Sequence, residues 1–306
     1  MTVAGLGCNN FARKIDREAS VAVVHAALEA GVNFFDTSDR YGYGEFPYSG
    51  EGLSEAFLGE GLGPHRPEVV VSTKFGIPLD SDPERHRGGS RRWVMEACEN
   101  SLRRLGTDYI DIYHMHIPDP ATPIDETLEA LSDLVEAGKV REIGCSGFSP
   151  TQLERAMRAS MEKGFERFES VMDDYSLIHR APEKDLIPMA ASHGASFLPY
   201  FPLASGLLTG KYRKDQAAPE GSRMASWTPR PYFALSDENL DRVERLLEYA
   251  TNRGHNLLEL AHAWLLAKPE VASVIAGATT PDQVRNNASS VGWVLTREEL
   301  AAIDLL

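Results

Sequence analysis

Eight times along the chain, a short run of β-branched, aliphatic or aromatic residues is followed by a longer stretch with helical spacing. The runs cover residues 3–8, 32–37, 69–74, 110–116, 142–146, 168–172, 196–200 and 273–276. Alternating β and α segments imply a parallel sheet. Strands buried on both faces should read as nearly continuous apolar runs, and most of these do. The intervening segments carry helix signals. Ser149-Pro150-Thr151-Gln152 has the form of a capping box with proline at the first helical position. Thr280-Pro281-Asp282-Gln283 repeats it, and so does Thr296-Arg297-Glu298-Glu299 without the proline. Thr122-Pro123 opens a helical stretch that Gly138 closes, and Gly31 follows another at the position that favours a left-handed residue.

Eight β-then-α units in 306 residues point to one domain over 1–306, a (β/α)8 TIM barrel. The competing architecture, a doubly wound open sheet, usually announces itself with a glycine-rich turn after the first strand. Here that turn reads Gly5-Leu6-Gly7-Cys8-Asn9-Asn10 and lacks the G-x-G-x-x-G spacing. Composition excludes other classes. No apolar run approaches the roughly 18 residues that span a bilayer, so no membrane association is expected. The net charge of −14 and the lack of a basic face argue against nucleic acid. Three scattered cysteines, Cys8, Cys98 and Cys145, suit neither a disulfide framework nor a metal site, and no secretory leader is evident. Together these point to the cytoplasm.

In a barrel of this kind the chemistry collects where the strands end. The second strand ends at Asp36, with Tyr41 in the loop behind it; the third ends at Lys74 and the fourth at His116. The fifth and seventh give Ser146 and Tyr200. A tyrosine near pKa 10 is a poor acid at neutral pH, and an adjacent ammonium favours its phenolate. A carboxylate beside the lysine would hold it, and a histidine can aim a substrate oxygen. Such a set suits the growth of negative charge on a carbonyl oxygen as a hydride arrives. Each residue also has an ordinary explanation: a turn-capping aspartate, a rim aromatic, a solvated lysine, a structural histidine. His114 shares the strand face of His116 and competes with it.

At these residues the chain resembles the aldo-keto reductase family. Phe34-Phe35-Asp36-Thr37-Ser38-Asp39-Arg40-Tyr41-Gly42 is similar to the family's Asp-Thr-x-x-x-Tyr-Gly signature. Residues 69–76, VVVSTKFG, resemble its lysine strand. His116 followed by Ile117-Pro118-Asp119 resembles its histidine segment and selects His116 over His114. The resemblance runs in order from about Gly5 to the C-terminus. It implies a nicotinamide cofactor, a small carbonyl substrate, and a tetrad of Asp36, Tyr41, Lys74 and His116. Tyr41 would donate the proton, Lys74 held by Asp36 would depress its pKa, and His116 would position the carbonyl. Ser146 would be a cofactor ligand. Tyr200 would stack on the nicotinamide, and Pro202, Leu203, Ser205, Leu207, Gly210 and Lys211 would line the pyrophosphate. Gly277, Ala278, Thr279, Gln283 and Asn287 would meet the adenosine end, where a capped helix N-terminus makes an anion site.

The chain departs from the family in places. Ser146 is followed by Gly147 where many members have asparagine, and Met172-Asp173 stands where many have Gln-Asn. Two side chains that usually grip the nicotinamide amide are therefore missing. Backbone or water replaces them, or the cofactor binds loosely, or it binds in another conformation. No cation stands at 277–279, and Arg285 lies one helical turn on. Family habit places NADP(H) ahead of NAD(H). The sequence begins almost at its first strand, so the hairpin that plugs the barrel floor in many members is replaced or lies upstream. A long C-terminal tail is lacking too, which leaves loops 76–92 and 204–235, with Tyr43, Tyr48, Trp93 and Trp227 as candidate walls, to shape the substrate site. Two alternatives to carbonyl reduction stand: a sugar or secondary-metabolite alcohol dehydrogenase running the same site in reverse, and a nucleotide-binding regulatory subunit resembling potassium-channel β subunits. The sequence does not give an oligomeric state.

Overall fold

A computed structural model describes residues 1–42, 52–79, 82, 84–226 and 231–306. Its strands are β1 (Ala4–Gly7), β2 (Phe34–Asp36), β3 (Val70–Phe75), β4 (Ile110–Met115), β5 (Val140–Ser146), β6 (Phe168–Asp174), β7 (Ser196–Tyr200) and β8 (Val274–Gly277). The helices are α1 (Arg17–Glu29), α2 (Leu53–Leu62), α3 (Arg91–Leu105), α4 (Ile124–Glu136), α5 (Pro150–Lys163), α6 (Leu186–Ser192), α7 (Arg223–Ser226), α8 (Asp237–Thr251), α9 (Leu257–Leu266), α10 (Pro281–Ser289) and α11 (Arg297–Asp304). All ladder pairs are parallel, in the order β7-β6-β5-β4-β3-β2-β1-β8. A bridge between Phe197 and Val271 closes the seam between β7 and β8. The result is a (β/α)8 TIM barrel. No helix among the described residues is long and apolar enough to cross a membrane.

Strand positions match the sequence reading at every unit, and the ends shift by one or two residues. Two strands extend by two residues: β5 gains Val140, which is buried, and Arg141, which is exposed, and β6 gains Asp173 and Asp174. The charges of Arg141, Asp173 and Asp174 hide them from a reading based on apolar runs. The Ser149 and Thr296 capping boxes form in full. The other two caps differ from expectation. Thr280 accepts from the Gln283 N–H, but the Gln283 carboxamide turns to the Thr279 N–H at 2.8 Å, so the reciprocal half is missing. Thr122 donates to Asp119 at 2.7 Å, and Pro123 is the cap residue of α4, without a side-chain bond.

The main core lies between the barrel's outer face and the helices, with Val71, Phe75, Tyr113, Ile143, Phe168 and Phe197 turned outward into it. Inside the barrel a second, small apolar cluster holds Phe34, Met172, Leu198 and Ile275. Gly5 makes room for it, since a Cβ there would lie 2.7 Å from the Phe34 ring. Next to this plug the interior is polar. Ser72 donates to Asp36 at 3.0 Å and meets His114 Nδ1 at 3.0 Å, and His114 Nε2 meets the Ser170 hydroxyl at 2.8 Å. That chain crosses β5 only because residue 144 is glycine: a Cβ would sit 2.5 Å from His114 Nε2 and 2.6 Å from Ser170 Oγ.

Candidate active site

Three neighbouring strands and one loop bring Asp36, Tyr41, Lys74 and His116 to one rim. Lys74 Nζ lies 2.7 and 2.6 Å from the two Asp36 oxygens and donates to the Thr37 carbonyl at 2.7 Å. All three ammonium protons are thus matched inside the barrel, where an unpaired charge is costly. The ammonium also stands 5.0 Å from the centre of the Tyr41 ring and interacts with its hydroxyl. His116 lies just past β4, anchored by its N–H to the Phe75 carbonyl at 2.8 Å. Its ring meets Tyr41 edge-on, with centroids 5.7 Å apart. His116 and Tyr41 are half-buried, whereas Asp36 and Lys74 are buried. The latter two form a base layer beneath the former.

Electrostatics follow from this layering. Burial pulls Lys74 down, but Asp36 and Tyr41 outweigh it, and its pKa stands above the usual lysine value. The ammonium is held charged. Asp36 is raised by burial, with Lys74 opposing. The resemblance implies a Tyr41 depressed by Lys74, and here the structure differs. Burial pushes the phenol above its usual value; Lys74 pulls it down, and Asp36 pushes it further up. The lysine acts in the expected sense but does not set the net direction. Burial, with Lys74 second, holds His116 well below the usual histidine value, so the ring is neutral. His114 is neutral for the same reasons, with its pKa lowered to about 3. It is fully enclosed by Ser72 and Ser170, so the two histidines separate into one at the rim and one inside.

The segments implied for a cofactor line the same rim, unevenly. Ser146 is buried at the end of β5, and Gly147 donates its N–H to the Met172 carbonyl at 3.1 Å. The Met172 side chain belongs to the apolar plug and cannot grip a carboxamide. Tyr200 is half-buried and donates to Asp173 at 3.1 Å, which fixes its ring at the rim. After β7, Pro202 and Leu203 lead into a tight turn over Ala204–Thr209. In it the Leu207 side chain packs into the core. Ser205 has a left-handed φ of 59°, and its buried hydroxyl finds no partner among the described residues. Gly210 ends the turn and Lys211 is exposed. After β8, Gly277 and Thr279 are accessible, while Ala278 is a core residue. Gln283 is exposed and Asn287 half-buried on α10. A waiting hydroxyl at Ser205, an accessible Gly277 and a capped helix start suit the phosphates of a dinucleotide. The residues for an amide grip do not.

Asn10 and Arg223 escaped the sequence reading. Asn10 donates to the Ala278 carbonyl at 3.2 Å and accepts from Arg223 at 3.0 Å. Arg223 has no carboxylate partner among the described residues, and burial and the nearby Arg13 hold its pKa below the usual arginine value. Through Asn10, Arg223 is thus held beside the segment that follows β8. No local signal marks Arg223, because its position depends on a long loop folding back onto the loop after β1. Trp93, expected as a pocket wall, is instead buried and stacked on His86 at 4.8 Å. Tyr43, Tyr48 and Trp227 lie outside the described residues. No group of three or more metal-ligating side chains occurs among the described residues.

The model of the Aldo/keto reductase family matches residues 4–306. The chain belongs to this family. Aldo-keto reductases are oxidoreductases that use nicotinamide cofactors, generally NADPH. The chain is 32% identical over 294 residues to the aldo-keto reductase YhdN of Bacillus subtilis, covering 95% of this chain and 84% of that one. It is 31% identical over 303 residues to the L-glyceraldehyde 3-phosphate reductase of Escherichia coli, covering 97% and 86%. It is also 33% identical over 294 residues to a probable voltage-gated potassium channel subunit beta of Arabidopsis thaliana, covering 92% and 84%.

Proposed function

We propose that this aldo-keto reductase uses NADPH to reduce a small aldehyde or ketone to an alcohol, with Tyr41 as proton donor. The observation that carries the reading is the buried Asp36–Lys74 pair lying beneath Tyr41, with His116 edge-on to it at the same rim. When bound, the nicotinamide supplies the hydride that the carbonyl carbon accepts. The chain does the rest. His116, neutral, holds the carbonyl oxygen by a hydrogen bond. The Tyr41 hydroxyl gives its proton to that oxygen as negative charge grows there. Lys74 stabilises the phenolate left behind, and Asp36 keeps the ammonium charged and aimed.

Support for NADPH over NADH comes from Arg223, tied through Asn10 to Ala278 after β8, a cation that the 277–279 segment itself lacks. NADH remains the alternative cofactor. Affinity for each would be read by quenching of protein fluorescence, followed by a carbonyl screen. Tight NADPH binding with turnover of a carbonyl is expected. Tyr41→Phe should abolish reduction and spare cofactor binding; retained turnover in that variant overturns the assignment.

The potassium-channel relative favours a second reading, a nucleotide-binding regulatory subunit. Bound NADPH with negligible steady-state turnover across the screen would favour it.

A further inference from the structure

The neutral His116 ring carries one proton, and Ser38 decides where. Ser38 Oγ lies 3.1 Å from His116 Nδ1 and 3.2 Å from Asp39 Oδ1. One of its lone pairs is already taken by the Arg40 N–H at 3.1 Å. A hydroxyl has a single hydrogen, so two arrangements exclude each other. Either Ser38 donates to Asp39 and accepts from a protonated His116 Nδ1, or it accepts from a protonated Asp39 and donates to His116 Nδ1. The first leaves Nε2 as an acceptor, which fits an alcohol. The second puts the proton on Nε2 as a donor, which fits a carbonyl. We propose that Asp39 is a positioning residue which, through Ser38, sets the His116 tautomer and thereby the form of substrate the site receives. This deepens the reductase reading and rests on it for its functional consequence.

Geometry favours the neutral carboxyl. Asp39 is fully buried, and its Oδ2 has no hydrogen-bond partner among the described residues. An ionised carboxylate would leave that oxygen charged and unmatched in a dry setting, at greater expense than a neutral one. The groups facing it come from three other elements: Glu55 on α2, Arg104 on α3 and Tyr113 on β4. Arg104 is committed to Glu55 at 2.6 Å, which leaves Asp39 without a direct cation among the described residues. Burial first, then Glu55, raises Asp39 well above the usual aspartate value, with Arg104 and the hydrogen bonds from Ser38 and Arg40 opposing. As pH rises through that value, Asp39 ionises, Ser38 turns to it, and the His116 proton moves from Nε2 to Nδ1.

The test is the ring ¹⁵N spectrum of the full-length protein across pH, with His116 assigned by the signal missing in His116→Gln. The expected result is Nε2 protonation at neutral pH, moving to Nδ1 at higher pH. Asp39→Asn, whose amide can donate to Ser38 throughout, should hold the Nε2 form over the range. Ser38→Ala should uncouple the ring from Asp39 and remove the pH response. Nδ1 protonation at neutral pH overturns the proposal, and so does a pH response that survives Ser38→Ala. In turnover, the KM for the carbonyl should rise about tenfold as Asp39 ionises, with the KM for the alcohol moving the other way, and Asp39→Asn should flatten both. The spectrum needs neither cofactor nor substrate. Absence of turnover therefore counts against the reductase reading alone, and the wrong tautomer counts against this proposal alone.

Discussion

The barrel interior has two unlike halves. On β2, β3 and β4, Asp36, Ser72, Lys74 and His114 hydrogen-bond in one chain within about 3 Å, which ends on Ser170 of β6, and His116 continues the set at the rim. On β6, β7 and β8, Met172, Leu198 and Ile275 form an apolar plug with Phe34 reaching in from the start of β2, and β5 passes between the two halves on Gly144. The lesson is a division of labour. Proton handling rests on side chains locked by neighbouring strands. The grip on a dinucleotide falls to loops and backbone, which tolerate sequence change. Substitutions on the first half should therefore act strongly and on chemistry, and those on the second weakly and on binding.

The largest effect is expected at Lys74. Lys74→Met should lower the rate of reduction by roughly 10²–10⁴-fold while cofactor still binds. It should also lower stability by about 3–5 kcal/mol, because Asp36 is left buried without its partner. Single-turnover reduction and urea denaturation read the two. Ser146→Ala, at the end of β5 where the apolar half begins, should change the rate by less than about tenfold. Equal losses in both variants would erase the distinction between the halves.

Next comes the acid response of two enclosed histidines, His114 in the polar half and His262 on α9. His114 is lowered to about 3 and His262 to about 4, both chiefly by burial. The unfolded rings take up protons near pH 6.5 and the folded ones do not, so between those values the unfolded state binds more protons. Stability is full above pH 6.5 and falls as pH drops, by about 2 kcal/mol for each histidine at pH 5. Urea midpoints at pH 7 and pH 5 measure this. His114→Gln should remove its share of the slope, and an unchanged slope would mean that the ring is not held neutral by its enclosure.

This contrast also explains what the sequence could tell. The eight units and the residues at β2, β3 and β4 ends were legible because strand burial writes itself as apolar runs, and the tetrad positions stand directly at the ends of those runs. Arg141, Asp173 and Asp174 were hidden at strand ends because a charged residue interrupts the apolar run that marks a buried strand. Trp93 is no wall because it falls in the first turn of α3, on the face that packs into the core, with His86 stacked on it. The Gln283 half of its capping box failed because Thr279 offered the nearer N–H. Arg223 and Ser38 were invisible for a different reason. Their roles come from partners such as Asn10 and His116, and local sequence carries no trace of such pairings.

Among the loop positions, Arg223 should matter most. A charge-assisted bond to a phosphate contributes about 1.5–3 kcal/mol, roughly ten- to hundredfold in affinity. Arg223→Ala should raise the Kd for NADPH by that factor, measured by fluorescence titration, and change the Kd for NADH far less. A parallel loss for both cofactors would move Arg223 from the 2′-phosphate to the pyrophosphate.

The smallest effect is expected at Gly147, and it runs in the favourable direction. The residue has a φ of +66°, and a Cβ built there meets nothing within 4 Å. Asparagine tolerates that backbone region better than most residues and would return an amide to the place where the apolar half offers none. Gly147→Asn should tighten NADPH binding a few-fold, about one added hydrogen bond. Gly147→Ala pays the left-handed strain, about 1–2 kcal/mol, without adding a polar group, so it should lower the urea midpoint and leave affinity alone. Tightening in both variants would point to stiffening of the loop as the cause. Loss of affinity in the asparagine variant would mean that Met172 and Gly147 face away from the cofactor, and that Asp173 and Tyr200 carry the contact at this rim.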